Sequence, residues 1–411
     1  KWNLHNESFM ERFGFINQLS FRASYGFTGS IDHNALPFSV LVAGGYTTMV
    51  YDGETIMNRY NPSNPSIKWQ RKEDRNIGFD ASLFNNRINL TVNYYNNDTR
   101  NLLDDKKIAS STGRTHVSAN VASLNNTGWE ISLRTLNVKT NDFSWVTSFN
   151  FTQNKDKVTE TYYQDLSEIS ASTNSTFEEL YSLYIQGNPV KAYYGYKFAG
   201  VDPYTGATLA YVDGFDDNGN RLGVLNAEGK YVYNMDYDLT VQLANASRGY
   251  LGRSYPPITG GFTTQFNYKR FSLFAQFTYM TGYLARSFQY FADGSVSDSG
   301  RNLLAVEANR WRKLGDITDV PKYENGRTEY LYQLFDFRFE KGNYLKCNNI
   351  SFGYNLEQSI CDKLHLTRAR FNFNVSNVFT LTKYRGIDPE TMGAFTYPSA
   401  RTYNFSLSIG I

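Results

Sequence analysis

RFNFNVSNVFTLTKYRGIDPE, residues 370–390, alternates aromatic or aliphatic side chains with asparagine and serine, then breaks into a stretch bearing Gly, Pro and charge. Successive side chains of a strand face opposite sides, so Phe371, Phe373 and Val375 point one way while Asn372, Asn374 and Ser376 point the other. One face is greasy and the other polar.

The same dyad recurs along the chain. Leu19, Phe21, Ala23 and Tyr25 oppose Ser20, Arg22 and Ser24; Ile77, Phe79, Ala81 and Leu83 oppose Gly78, Asp80 and Ser82; Ile88, Leu90, Val92 and Tyr94 oppose Asn89, Thr91 and Asn93. Further on, Trp129, Ile131 and Leu133 alternate with Glu130, Ser132 and Arg134, and Phe262, Thr264, Phe266 and Tyr268 with Thr263, Gln265 and Asn267. Residues 143–157, 271–284, 343–355 and 400–411 complete a set of about ten strand segments. Many approach or exceed the roughly 9–11 residues a tilted strand needs to cross a bilayer, whereas strands of soluble proteins centre on about 5–6.

The connections give an independent test. Short turns join 83–88, 139–143 and 268–271, with a slightly longer one at 356–365; long connections span 28–70, 102–125, 158–256, 285–342 and 380–399. Strict alternation of short and long is the plan of an outer-membrane barrel, with short periplasmic turns and long extracellular loops. The sequence therefore predicts an all-β, antiparallel transmembrane barrel. Its greasy rows meet lipid and its polar rows meet an aqueous or side-chain-filled lumen; in the opening stretch the alternation stops near Leu381, where the strand leaves the membrane. The final strand, RTYNFSLSIGI, runs to a periplasmic C-terminus with Tyr403, Phe405, Leu407, Ile409 and Ile411 on the lipid face.

Composition agrees. Of 411 residues, 16% are aromatic and only 19% charged, a mixture suited to strands with one wet and one dry face. The net charge is +2 with Lys and Arg scattered, which excludes the basic runs that nucleic acid requires. No stretch of 18 apolar residues provides a transmembrane helix. The chain opens on KWNLHNESFM, without a signal sequence or initiator Met, and reads as a mature piece or a fragment.

Nothing proposes an enzyme. The four histidines, His5, His33, His116 and His365, fall on different elements, and no HExxH, GxSxG or phosphate-loop motif occurs. Cys347 and Cys361 lack metal-ligand spacing; a disulfide between them is allowed and not demanded, and the plainer reading is two buried or lipid-facing thiols. Asn-x-Ser/Thr triplets such as those at Asn89, Asn150, Asn374 and Asn404 follow from i and i+2 sharing a strand face and carry no glycan message.

Candidate sites are few. VDGFDDNGN, 212–220, gathers Asp213, Asp216, Asp217, Asn218 and Asn220, hard oxygen ligands of the kind calcium prefers, but without EF-hand spacing or a closing Glu; a solvated turn is the favoured reading, and no other cofactor is expected. Arg22, Asp80, Glu130 and Arg134 lie on polar faces and are candidates for contacting a plug or solute, set against an ion-pair ladder that only holds the wall together. Tyr384 and Arg385, beyond the end of a strand, are further substrate-contact candidates. Residues 158–256 are too long for a structureless loop and are expected to form a surface subdomain with strands at 192–201 and 207–213. Between Asp298 and Arg312, Leu303, Leu304, Glu307, Ala308 and Trp311 fall at helical spacing, with Ser297 or Asp298 as cap and Gly315 as stop; this predicts a short loop helix whose Trp311 is a packing anchor.

Five stretches carry a family resemblance: WQRKEDRNIGFDASLFNNRINLTVNYYNNDTRNLL (69–103), SLNNTGWEISL (123–133), NRWRKLGDITDVPKY (309–323), GNYLKCNNISFGYNL (342–356) and VSNVFTLTKYRGIDPE (375–390). In this order they resemble the C-terminal barrel of the SusC/RagA-type TonB-dependent transporters of Bacteroidota. The resemblance implies a 22-stranded barrel, plugged by an N-terminal domain, that imports oligosaccharides or peptides when pulled by TonB beneath a SusD-type lipoprotein lid. It also implies that the plug, the TonB-binding segment and roughly the first half of the barrel lie outside this chain. The last strand resembles the signal read by barrel-assembly machinery, with Ile411 where Phe is usual; Leu314 stands where Pro is expected, Cys347 at a usually aliphatic position, and the strand end at Leu356 lacks its usual Pro. Two other readings stand beside it: a passive porin or structural barrel, and a secreted glycan-binding sandwich or propeller in which the greasy face would be core.

Overall fold

Aromatic and β-branched residues alternating with Asn, Ser and Thr favour a pleated, half-dry backbone, and such segments form a single sheet here. The computed structural model describes residues 1–30, 40–43, 50–51, 54–55, 57–61, 64–109, 111, 116–161, 185–211, 224–226, 230–234, 249–286, 305–322, 335–391 and 397–411. Eleven of its strands pair in sequence order, every pair antiparallel. They are β1 (Trp2–Asn3), β2 (Ile16–Ser30), β3 (Gln70–Leu83), β4 (Ile88–Lys107), β5 (His116–Lys139) and β6 (Phe143–Glu160). The sheet continues with β7 (Ile258–Tyr268), β8 (Phe271–Thr281), β9 (Tyr344–Asn355), β10 (Arg368–Thr382) and β11 (Thr402–Gly410). Every predicted segment lands on one of the ten long strands.

Register turns the dyad into rows. Phe21, Phe79, Val92, Ile131, Phe151, Gly260, Tyr279, Leu345 and Leu381 face one another strand by strand, from β2 to β10. One residue away, Ser20, Asp80, Thr91, Ser132, Asn150, Gly261, Thr278, Lys346 and Thr380 make the neighbouring row on the opposite face. The apolar side chains are not packed into a core: Phe21, Phe79, Ile77, Trp129, Leu273, Phe352 and Phe371 are all exposed. A water-soluble sandwich would bury that face, and the glycan-binding sandwich reading falls on this observation.

Aromatic bands border the apolar rows. Near the short turns, Phe143, Tyr268, Phe271, Tyr354 and Phe371 stand in one row, with Trp145, Phe266, Leu273, Phe352, Phe373 and Phe405 in the next. Toward the long connections, Tyr94 and Trp129 pair with ring centroids 4.9 Å apart. Such girdles mark the two interfaces of a membrane-spanning barrel.

The connections alternate as expected, with differences at the long end. The expected connection 102–125 is shorter, because β4 runs to Lys107 and β5 starts at His116, making strands of 20 and 24 residues. A register shift between Thr99 and Leu102, next to the left-handed Asn101 (φ 58°), absorbs the irregularity. From Asn96 to Asn101 both faces are polar, so the ladder continues without an alternation to announce it. β8 ends at Thr281 rather than 284, where Gly282 turns at φ +88° and Leu284–Arg286 leave to pair with Phe339–Lys341. Between β9 and β10 a short helix, α1 (Gln358–Lys363), fills the slightly longer turn.

Cys347 and Cys361 are both free and buried, so no disulfide joins them. Cys347 pairs with Phe277 and Phe379, whose rings approach to 6.4 Å. It is the small residue beneath two aromatics on the apolar face.

The long connections carry their own packing. The expected loop strand 192–201 is two strands in separate sheets, Ala192–Gly195 pairing with Gly249–Arg253 and Phe198–Val201 with Thr208–Tyr211, the described part of the expected strand 207–213. Of the expected loop helix, the described part, Ala305–Asn309, is a 3-10 turn; Leu303 and Leu304 lie outside the described residues. Trp311 does anchor packing. Its Nε1 donates to Pro203 O at 3.0 Å, and its ring covers Gly206 (φ +73°), where a Cβ would sit 2.4 Å from the ring.

Candidate lumenal site

The polar face of β2 to β6 gathers four of the sequence-predicted residues in three adjacent rows. Asp80 lies in the row described above; Arg22 shares the next with Gly78, Asn93, Glu130 and Thr152, and Arg134 lies on the other side with Gln18, Ser82, Asn89 and Ser148. Period-two alternation and the register together force this sharing of a face: the rows of Arg22, Asp80, Glu130 and Arg134 run through the odd-numbered Asn89, Thr91 and Asn93 of β4 with no register shift between them.

Arg22 and Asp80 form a two-point pair, Nε to Oδ2 at 2.8 Å and Nη2 to Oδ1 at 3.0 Å. Asp80 also accepts from Thr91 Oγ1 at 3.1 Å and Ser20 Oγ at 3.2 Å, and Arg22 Nη2 donates to Asn93 Oδ1 at 2.9 Å. These bonds occupy Asp80 fully, which is the chemistry of a wall fastener. Gly78 makes room for it: a Cβ there would lie 2.6 Å from Asn93 Oδ1 and 3.0 Å from Arg22 Cζ.

Glu130 and Arg134 differ. Both are exposed on the polar face, and among the described residues neither has an ion-pair partner. Glu130 lines a concavity of about 740 Å³ together with Asn76, Asn93, Tyr95, Asn97 and Asn126. Tyr95 crosses Gly128 to donate its hydroxyl to Asn154 Oδ1 at 2.8 Å; a Cβ on Gly128 would fall 2.3 Å from that hydroxyl. The sequence reading missed Tyr95 because it lies beyond the alternating core of β4; its only signal was an aromatic of polar parity opposite a strand glycine.

Loop segments fold over the same end of the wall. Asp156 accepts from Val190 N at 2.7 Å and pairs with Arg253 Nη1 at 3.2 Å, while Val158 N donates to Asn188 O at 2.9 Å. Lys346, on the polar face of β9, pairs with Glu390 and draws the connection after β10 inward.

Tyr384 and Arg385 are committed elsewhere. Tyr384 is buried beside Tyr283 and Ala285, its hydroxyl donates to Arg286 O at 2.5 Å, and burial pushes its pKa up to about 12. Arg385 binds Glu340 through both its backbone N and Nε, each at 3.1 Å. Their geometry ties loops together: Tyr384 is buried in that contact, while the paired Arg385 stays exposed. The acidic run with Asp213, Asp216, Asp217, Asn218 and Asn220 lies outside the described residues, and among the described residues no group of three metal-ligating side chains occurs. Tyr403, Phe405, Leu407 and Ile409 share one face of β11, Phe405 being 81% exposed, and Ile411 follows at the exposed end.

An antiparallel sheet with an exposed apolar band on one face and a hydrogen-bonded polar wall on the other is the wall of an outer-membrane-type barrel. The chain belongs to the family described as TonB dependent receptor-like, beta-barrel, whose model matches residues 2–216. This is a family of outer-membrane receptors and transporters and not an enzyme family. TonB-dependent receptor P3 of Formosa agariphila is 27% identical over 433 residues, covering 99% of this chain and 41% of that protein. TonB-dependent receptor SusC of Bacteroides thetaiotaomicron is 25% identical over 427 residues, covering 99% of this chain and 39% of that protein. Among solved structures, the RagAB peptide transporter superposes with a TM-score of 0.78 at 25% identity, covering 99% of this chain and 42% of that one. The chain thus spans about two-fifths of the length of the relatives it matches.

Proposed function

We propose that residues 1–411 form part of the wall of an outer-membrane importer that takes up oligosaccharides or peptides, is driven through TonB and works with a SusD-like surface lipoprotein as lid. The observation that carries this is the continuous polar row from β2 to β10, backed by an exposed apolar row, in a chain of the TonB-dependent receptor family. Similarity to the RagAB peptide transporter supports peptides as one substrate class, and similarity to TonB-dependent receptor SusC supports the energised receptor reading.

On this reading the long connections face the outside and the C-terminus the periplasm, and residues 158–256 act as an extracellular subdomain. The outer edges of β1 and β11 carry no strand among the described residues. In hydrocarbon each unpaired backbone group costs several kcal/mol, so we assign these edges to further barrel strands supplied, with the plug, by the remaining polypeptide. The outward row of Tyr403, Phe405, Leu407, Ile409 and Ile411 serves as the assembly signal.

The test is uptake by cells carrying the complete receptor. Import of a labelled oligosaccharide or peptide is expected to stop on deletion of either the receptor or TonB. Import that survives loss of TonB and depends only on the receptor would establish a passive pore instead.

A further inference from the structure

We infer that Tyr95 is the floor of a stacking subsite for one sugar ring of a neutral glycan, at the loop-side end of the polar wall. The inference rests on the importer reading and chooses between its two substrate classes.

The first ground is the attitude of the ring. Tyr95 lies across Gly128, the residue opposite it on β5, and is held there by its hydroxyl bond to Asn154 on β6. Its hydroxyl end and Cζ rest where Gly128 has no Cβ, and the residue lines the concavity of about 740 Å³. A half-buried ring tethered at its far end and bordering the concavity is preorganised to offer an apolar surface, such as one that stacks on the C–H face of a pyranose. The volume falls within the roughly 300–1,000 Å³ of small-molecule sites.

The second ground is the rim. Asn76, Asn93 and Asn97 supply amides able to donate to and accept from hydroxyls, and the exposed Glu130 carboxylate adds an acceptor beside the ring. Most of the lining's charge is neutralised: Arg22 is paired at 2.8 Å with Asp80, which lies just outside the lining, and Lys72 with Asp74 at 2.6 Å, while Lys1 and Glu130 add one charge of each sign. An amide-rich, charge-balanced rim around an aromatic floor suits an uncharged, many-hydroxyl ligand.

The bland account is that Tyr95 only covers a glycine. Tyr279 lies over Gly260 on the apolar face in the same way, where a Cβ would meet its hydroxyl at 2.4 Å. That pair has lipid above it, and no amide rim.

The experiment uses the purified complete receptor and titration calorimetry. The probes are hexasaccharides of a neutral glucan, xylan, mannan and fructan, and a pool of uncharged hexapeptides. At least one hexasaccharide is expected to bind. Tyr95→Leu, which still covers Gly128 but has no aromatic face, is expected to weaken it about tenfold, the scale of one aromatic stacking contact. Tyr95→Phe is expected to stay within about twofold. Unchanged heat-modifiable migration on gels certifies that both variants are folded. Equal affinity for wild type and Tyr95→Leu overturns the subsite, as does binding of the peptides alone, which leaves the importer reading standing. Binding of no probe, together with absence of TonB-dependent uptake of any of them, overturns both.

Discussion

Asp336 shows how a single residue outside the wall sets a condition on the loops. Its Oδ1 accepts from Phe198 N at 2.9 Å, its own N donates to Tyr196 O at 2.9 Å, and it is surrounded by Phe198, Phe335 and Phe337, whose rings contact one another at 5.0–6.1 Å. Burial among these rings raises its pKa above the usual carboxylate value, outweighing the backbone N–H donors that lower it. The sign follows from linkage. A carboxyl with a folded pKa above its unfolded one binds its proton more tightly when folded, so this contribution is full at low pH and is lost as pH rises through the raised pKa. Asp336→Asn keeps an acceptor for Phe198 N–H and removes the charge. Amide exchange at Phe198 is therefore expected to be better protected at pH 4 than at pH 7 in the wild type, and to show no such difference at this site in the variant. The position was not legible in the sequence, because Asp336 is half-buried by loops arriving from both sides of β7 and β8, and no local pattern announces that meeting.

At the scale of the strand, the face of each residue follows from parity, and neighbours one position apart serve as controls for each other. Leu133 lies in the apolar row with Leu90 and Phe149, while Ser132 lies in the polar row with Thr91 and Asn150. Leu133→Arg places a guanidinium toward hydrocarbon, where a charge near the midplane costs about 2–4 kcal/mol; Ser132→Arg places it among hydroxyls and amides. Urea unfolding of the receptor refolded into phosphatidylcholine vesicles is expected to show that loss for Leu133→Arg and a change under about 0.5 kcal/mol for Ser132→Arg. Equal losses would mean that the two faces are misassigned. This alternation is what made β2 to β11 legible, since lipid on one side and polar side chains on the other write opposite chemistry into odd and even positions. It fails in two circumstances. Where strands stand clear of the apolar band, as in Asn96–Asn101, both faces are polar and the dyad vanishes although the ladder continues. Where a bulge inserts a residue, parity flips: Ile350 and Leu345 belong to the same face of β9 only because the register shifts between Cys347 and Asn349.

Across the whole molecule, loops far apart in sequence are fastened to one another rather than lying separately over the wall. Residues 202–207 and 311–322 interlock through Lys322 N to Gly206 O at 2.9 Å and Gly315 N to Pro203 O at 2.8 Å, with the Trp311 ring laid on Gly206, while Trp311 N to Val320 O at 2.9 Å closes 311–322 on itself. A second clasp joins Tyr283 Oη to Pro389 O at 2.8 Å and Tyr384 to Arg286 O, which is why Tyr384 packs instead of reaching for a solute. Hydrophobic spacing gave Trp311 its role as an anchor, but its partner is a positive-φ glycine in another connection, and pairings at that separation leave no trace in one sequence. Trp311→Ala removes the ring and its bond to Pro203 while leaving every wall strand intact. Limited proteolysis of the folded receptor is expected to cut within 202–207 or 311–322 at least tenfold faster in the variant, the factor that about 1.4 kcal/mol of lost local stability gives. Heat-modifiable migration of the wall should not change. Loss of that migration would mean that the loops hold the barrel together; unchanged cleavage would mean that the backbone bonds, not the indole, join the two connections.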